Sequence, residues 1–391
     1  MRQRTVFLLL IFGTFFLTAS AAWPQVEGPA AKPCHVYSWE GVPPDMSPVL
    51  VQPYTLPTDS KQGDFLRRMH LENGVEVRGT HWITPADVGS RDLFILDITQ
   101  SMEGGFDSVN IYDRGVLSWG IMQWTARTGS LTGALVFIKR RLWATHRKRI
   151  WDKVFTANGL DADPKGLIAF GKRLQTPQDV RLAFRGTMQI GKFDPKIVTY
   201  WATMMARAGR HPAVVELQVE YAGRVVDAVL NKRILNLPYR PPGLIGLSTS
   251  ALAGSDPYAE ALVFVLWTNN PRHALLFVRQ AARSSYSISR GKDPAAWDSD
   301  AFAEALLRLC HQSRFGNWQA RAAWTTARRD QARRAGAMAL TPFERRYQTV
   351  LAAQKSARLQ KIASRAAAAS RKRDMLFFSN EAKPDPLNQT H

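Results

Sequence analysis

The spacing of apolar positions changes as the chain runs on. Leu93, Phe94, Leu96, Ile98 and Met102 recur at helical intervals. A start signal precedes them at Thr84-Pro85-Ala86-Asp87, with Thr84 as N-cap, Pro85 at the first helical position and an acid in the first turn. Gly104-Gly105 supplies the stop. The pattern therefore predicts an apolar helix whose last turn carries Glu103. The period then shortens to two: Val109 and Ile111, then Val116, Ser118 and Gly120 across an Asp113-Arg114-Gly115 turn. That is the signature of a β-hairpin. Beyond Gly129 the chain reads as helical almost throughout, with amphipathic stretches at 131–155, 194–209, 211–235, 256–271 and 299–313 ending at Gly or Pro. Residues 237–256 read as a long loop.

The flanks follow other rules. Residues 22–85 carry many prolines and predict loops with short strands that wrap the main body. An edge strand broken by Pro53 is expected in 49–57 and a second strand in 74–85. From Trp318 the chain becomes rich in Ala, Arg and Lys, a strong helix former broken at Thr341-Pro342. The expectation is an α+β protein, mostly α-helical, with a small hairpin. Its parts are a main domain over 86–317, a basic helical extension over 318–374 and a disordered tail over 375–391.

The first residues change the picture. Arg2 and Arg4 precede an uncharged apolar run from Val6 to Leu17, and Ala19-Ser20-Ala21-Ala22 offers small residues for cleavage. This predicts a secretory signal peptide over 1–21, cut after Ala21 or Ala22, since the apolar run is short against the ~20 residues of a spanning helix. Export permits a disulfide, and Cys34 and Cys310 either pair or stay as two thiols. The chain of 391 residues has 52 Lys and Arg against 32 Asp and Glu, a net charge of +20. In an exported protein that charge points to anionic envelope polymers or a membrane surface, met through 318–374, and not to nucleic acid. His81, His211, His273 and His311 lack metal-ligand spacing, so neither metal nor cofactor is expected.

Glu103 is the candidate for chemistry. A carboxyl at the end of an apolar helix, beside a Trp-rich hairpin, has the surroundings that keep an acid protonated for proton donation to a glycosidic oxygen. A second carboxylate would stabilise charge or activate water. Asp113 and Asp107 both lie on the segment that folds back, although Asp113 also makes good turn chemistry. Tyr112, Ser118, Trp119 and Gln123 are candidate sugar contacts. Strand alternation puts some of the rings in the core, and Trp119 or Tyr112 is preferred to Trp124.

The order of these residues resembles the lysozyme-like superfamily. In goose-type lysozymes and soluble lytic transglycosylases a helix-end Glu precedes a short hairpin reading roughly Gly-Leu-Met-Gln, here Gly120-Ile121-Met122-Gln123 at a similar spacing. The hairpin is also similar to that of lysozyme-like chitosanases, through Asp113-Arg114-Gly115, Gly120 and Trp124-Thr125. The resemblance covers residues 86–130. It implies a mostly helical lysozyme-like fold, Glu103 as general acid, Asp113 as second acid and Gln123 as a sugar contact. Gly104 stands where the transglycosylases have Ser, and Glu220-Tyr221-Ala222-Gly223 lacks the Asn of their later motif. Hydrolysis and transglycosylation therefore both stay open.

Three functions follow as expectations. The first is a periplasmic or extracellular muramidase acting on peptidoglycan, hydrolytic or lytic. The second is a chitosanase, disfavoured by the positive charge because chitosan is cationic. The third is a non-catalytic envelope protein that keeps the fold with Glu103 as a relic.

Overall fold

The computed structural model describes residues 49–54, 74–84, 88–233, 244, 246–253, 256–288, 301–313, 316–335 and 360. The expected leader, Cys34, the last strand residues of 49–57, half of the predicted loop at 237–256 and nearly all of 336–391 lie outside them. The architecture is α+β and mostly helical, with two small antiparallel sheets.

The first sheet has five strands in sequence order: β1 Gln52–Pro53, β2 Val75–Val77, β3 Val109–Ile111, β4 Ser118–Trp119 and β5 Trp124–Thr125. The proline-rich segment thus supplies two strands of the same sheet as the hairpin. Pro53, which has no N–H for a ladder, sits on the edge strand. Register gives the sheet two faces. Val75, Val77, Val109, Ile111, Trp119 and Trp124 are buried on one. On the other, Gln52 pairs with Glu76, Glu76 with Asn110, Asn110 with Ser118 and Ser118 with Thr125. Directly paired residues share a face, so these five form one polar row across the sheet.

Helix α1, Arg91–Glu103, starts later than Thr84 implies. Ser90 is the true cap, its hydroxyl accepting from the Leu93 N–H at 3.3 Å. Its end falls where Gly104-Gly105 predicts. The long helical stretch at 131–155 divides into α2, Ser130–Ala144, and α3, Lys148–Val154. A three-stranded meander then replaces expected helix: β6 Leu160–Asp163, β7 Gly166–Ala169 and β8 Lys172–Arg173. The remaining elements are α4 Pro177–Arg185, α5 Pro195–Arg210, α6 Pro212–Leu230, α7 Thr249–Leu252, α8 Pro257–Asn269, α9 Pro271–Ile288, α10 Ala301–His311 and α11 Gly316–Ala335.

Helix α1 packs against α6, α8 and α11, with Phe94, Ile95, Leu96 and Ile98 all buried. Arg91 grips the buried Glu260 of α8 through two 2.7 Å hydrogen bonds. Gln218, fully buried on α6, fastens the hairpin: its amide donates to the Phe106 carbonyl at 3.0 Å and its oxygen accepts from the Ile121 N–H at 3.3 Å. A Cβ on Gly120, which has φ +78°, would stand 2.3 Å from that same oxygen, so only glycine fits the clamp.

The start of the basic stretch is part of this body, not an extension from it. Trp318 of α11 is buried, its indole N–H donating to Asn269 Oδ1 at 2.8 Å. Arg328 reaches Asp97 of α1 at 2.8 Å and Arg329 reaches Glu304 of α10 at 3.0 Å. These cations are spent inside the fold. No helix of the described residues is long and apolar enough to cross a membrane. Cys310 is buried, which pushes its thiol up to about 12.

Candidate active site

Glu103 sits where α1 stops at the polar face of the five-stranded sheet. The chain leaves the helix through Gly104, whose φ of +126° is a glycine region. A Cβ there would fall 2.6 Å from Ser108. The position where transglycosylases carry Ser thus has no room for a side chain in this fold. Ser108 Oγ instead accepts from the N–H groups of Gly105 at 2.8 Å and Gly79 at 3.0 Å.

The apolar surroundings expected for Glu103 are replaced by a cation and a hydroxyl. Arg321 of α11 places Nη1 2.6 Å from Glu103 Oε1, and both side chains are nearly buried, 11% and 12% exposed. Thr268 of α8 can donate to the same oxygen at 3.1 Å or to the Val265 carbonyl at 2.8 Å; its one proton serves only one at a time. Arg321 also donates to the Val265 carbonyl at 3.0 Å.

Asp113 lies in the hairpin turn. Its Oδ1 accepts from the Gly115 N–H at 2.8 Å and its Oδ2 from Ser118 Oγ at 3.4 Å. Arg185, buried at the end of α4, donates to its main-chain carbonyl. Burial raises the Asp113 carboxyl above its ordinary range, Glu103 adds to the rise, and the hydrogen bonds and Arg185 oppose it. Burial likewise depresses the Arg185 guanidinium to about 10 although Asp113 supports its charge.

Tyr112 lies within electrostatic reach of several acids. Burial pushes its phenol well up, and Tyr54, Asp113, Glu76 and Glu103 each push it further. Its ring stacks on Tyr54 at 3.6 Å between centroids, 7° from parallel. Glu103, Asp113 and Glu76 therefore lie within electrostatic reach of the Tyr54–Tyr112 stack. Gln123, at φ +47°, accepts from Asn110 Nδ2 at 2.6 Å and donates to the Gly120 carbonyl at 3.1 Å, which ties it to the polar row beside Gly104.

Two expected contacts are corrected. Trp119 is fully buried with its indole donating to the Met205 carbonyl at 2.8 Å, because it lies on the apolar face of β4. Ser118 is on the right face but buried, and its hydroxyl is given to Asp113. Asp107 is structural. It is fully buried, pairs with Arg210 at 2.9 Å and accepts from Thr80 and from the His81 N–H. Burial alone raises its carboxyl, but those donors outweigh it and hold it low.

Other residues of the site escaped the sequence reading. Trp82 is 42% exposed, its indole edge beside Gly105 and its N–H on the Gly79 carbonyl at 2.9 Å. Glu76 and Asn110 had a signal, each a polar residue between two β-branched ones at a strand centre. Thr268, Arg185 and Arg321 had none, since only the tertiary fold brings them near. Among the described residues no group of three His, Cys, Asp or Glu side chains gathers as for a metal ion. No protein-family model, curated protein or solved structure matches the chain.

Proposed function

We propose that the protein is an exported glycosidase of lysozyme-like fold that cuts the glycan strands of peptidoglycan, by hydrolysis or lytic transglycosylation. The observation that carries this reading is a pair of carboxyls beside the polar row: Asp113 accepts from Ser118 of that row, and Glu103 lies within electrostatic reach of Asp113 and Tyr112. Glu103 is the general acid. It gives its proton to the glycosidic oxygen as the bond to the anomeric carbon breaks, and Asp113 faces the cationic sugar or orients the attacking group. Donation requires Glu103 to exchange Arg321 for the substrate and to take up a proton from solvent, because a carboxyl paired to a guanidinium is ionised, so glycan entry displaces the guanidinium. Gln123 and Asn110 offer amides to sugar hydroxyls, and Trp82 and the Tyr54–Tyr112 stack offer ring faces. The positive net charge suits a polymer that carries carboxylates.

Two other readings each have an observation in their favour. Glu76, Glu103 and Asp113 give the site an acidic lining inside a basic protein, which suits a cationic glycan such as chitosan. The Arg321–Glu103 pair suits an envelope-binding protein without catalysis, because a proton donor locked to a cation is idle. Incubating the processed protein with peptidoglycan and, separately, with chitosan, and reading products by mass, decides among them. Muropeptides with reducing ends mean hydrolysis and anhydro ends mean lytic transglycosylation. Chitosan oligomers alone favour the second reading, and binding without product the third.

A further inference from the structure

The corner between α2 and α3 carries a second surface, independent of the glycan site. Between Lys139 and Lys153 the chain has seven Lys and Arg and one acid, Asp152. The acids facing this corner from neighbouring elements are already taken. Asp161 of β6 accepts from Lys139 at 2.6 Å, Glu220 of α6 from Arg141 at 3.0 Å and Glu216 of α6 from Arg147 at 3.0 Å. Arg140, Lys148, Arg149 and Lys153 stand exposed with no acid of the described residues paired to them. In their midst Trp143 is 49% exposed, with Lys139 and Lys148 each 5.3 Å from its ring centre.

A bare cluster of cations is only a solvated face. An exposed indole held among cations is different: its ring settles at the headgroup level of a bilayer while the ammonium and guanidinium groups meet lipid phosphates. Helix α11, by contrast, spends Arg321, Arg328 and Arg329 on acids of α1 and α10. Helix α2 begins beside β5, where Ser130 Oγ accepts from the Thr125 N–H, and runs ~22 Å to this corner. We infer that the α2–α3 corner, centred on Trp143, docks the protein on an anionic phospholipid surface.

The test is co-sedimentation of the processed chain, without the apolar leader, with vesicles of phosphatidylcholine alone and of phosphatidylcholine mixed with phosphatidylglycerol. The wild type is expected to pellet with the mixed vesicles only and to be released by salt. Each cation near such a surface is worth about fivefold in binding, so Arg140→Glu with Arg149→Glu is expected to weaken it more than tenfold. Trp143→Ala is expected to weaken binding several-fold while keeping the salt dependence. A control pair, Lys192→Glu with Lys196→Glu, changes net charge equally at exposed sites elsewhere and is expected to bind as the wild type. Circular dichroism and melting check that each variant is folded. The inference is overturned if the wild type ignores both vesicles or binds both alike. It is equally overturned if the Arg140/Arg149 variant binds normally, or if the control loses as much, which would leave only a diffuse charge effect.

Discussion

Arg321 Nη1 and Glu103 Oε1 stand 2.6 Å apart, joining the last described helix to the end of the first. Because both side chains are nearly buried, the pair is more costly to break than to keep. Removing one partner of such a pair leaves an uncompensated charge, a loss of about 3 kcal/mol. Arg321→Ala is therefore expected to lower the melting temperature by several degrees. Glu103→Gln, which keeps an acceptor for Arg321, is expected to cost less than half as much. Melting curves of the two variants and their double mutant check this. Additive effects would mean that the pair is not formed in solution.

The exit from α1 is set by one backbone position. Gly104→Ala puts a Cβ into the space of Ser108 and forces a φ of +126° on an L residue. A loss of about 2 kcal/mol or more is expected. Gly129→Ala, also at positive φ but with open space around it, is expected to cost about 1 kcal/mol. Chemical denaturation of both variants gives the comparison, and equal losses would show that the close approach to Ser108 is not real.

Asp92 couples stability to pH. Burial, with help from Asp227 and Glu260 and against Arg91, raises its carboxyl from 3.8 to about 6. Between those values the native state holds a proton that the unfolded chain has released. Stability is therefore fully present below about pH 4 and falls as pH rises toward 6. Allowing for its partial exposure, the fall is on the order of 2 kcal/mol. Asp92→Asn is expected to raise the melting temperature at pH 7 and leave it nearly unchanged at pH 4, where the protonated carboxyl and the amide are both uncharged. The same gain at both pH values would contradict the assignment.

The two tryptophans that flank the site separate packing from recognition. Trp119→Ala empties a fully buried site and is expected to cost about 4 kcal/mol. Trp82→Ala is expected to leave the fold within ~1 kcal/mol of wild type and to weaken glycan binding by a few fold. Affinity electrophoresis in glycan-loaded gels, beside a melt, reads both. A large fall in stability for Trp82→Ala would make it a core residue instead.

What the sequence revealed follows from which interactions are local. Helix α1 ends where two glycines say it must, and Val109 and Ile111 alternate onto the apolar face as the period-two pattern implies, but the second strand runs in the opposite phase, with Trp119 and not Ser118 on that face. Asp194 and Asp256 cap α5 and α8 at the Asp-Pro signals. The meander at 160–173 was masked by its surroundings. Leu160 and Ala162, then Leu167 and Ala169, alternate about a Pro164-Lys165-Gly166 turn, but the segments are short and lie between strong helices. Alternation says that one set of rings is buried without saying which; pairing with the buried Val109 puts Trp119 in that set. The partner of Glu103 had no local signal at all. Arg321 lies in a stretch whose composition reads as a solvated basic helix, and only the docking of Trp318 turns it inward.

Glu103, once free of Arg321 and protonated, is proposed to donate to the glycosidic bond. The most direct measurement is the rate of product formation from peptidoglycan by wild type, Glu103→Gln and Arg321→Gln under identical conditions, with products identified by mass. Soluble muropeptides are expected from the wild type, a loss of at least a hundredfold in Glu103→Gln, and retained cleavage in a folded Arg321→Gln, in which the acid no longer has to be released. Undiminished cleavage by Glu103→Gln would contradict it, as would a wild type and an Arg321→Gln variant that both bind the glycan and cut nothing.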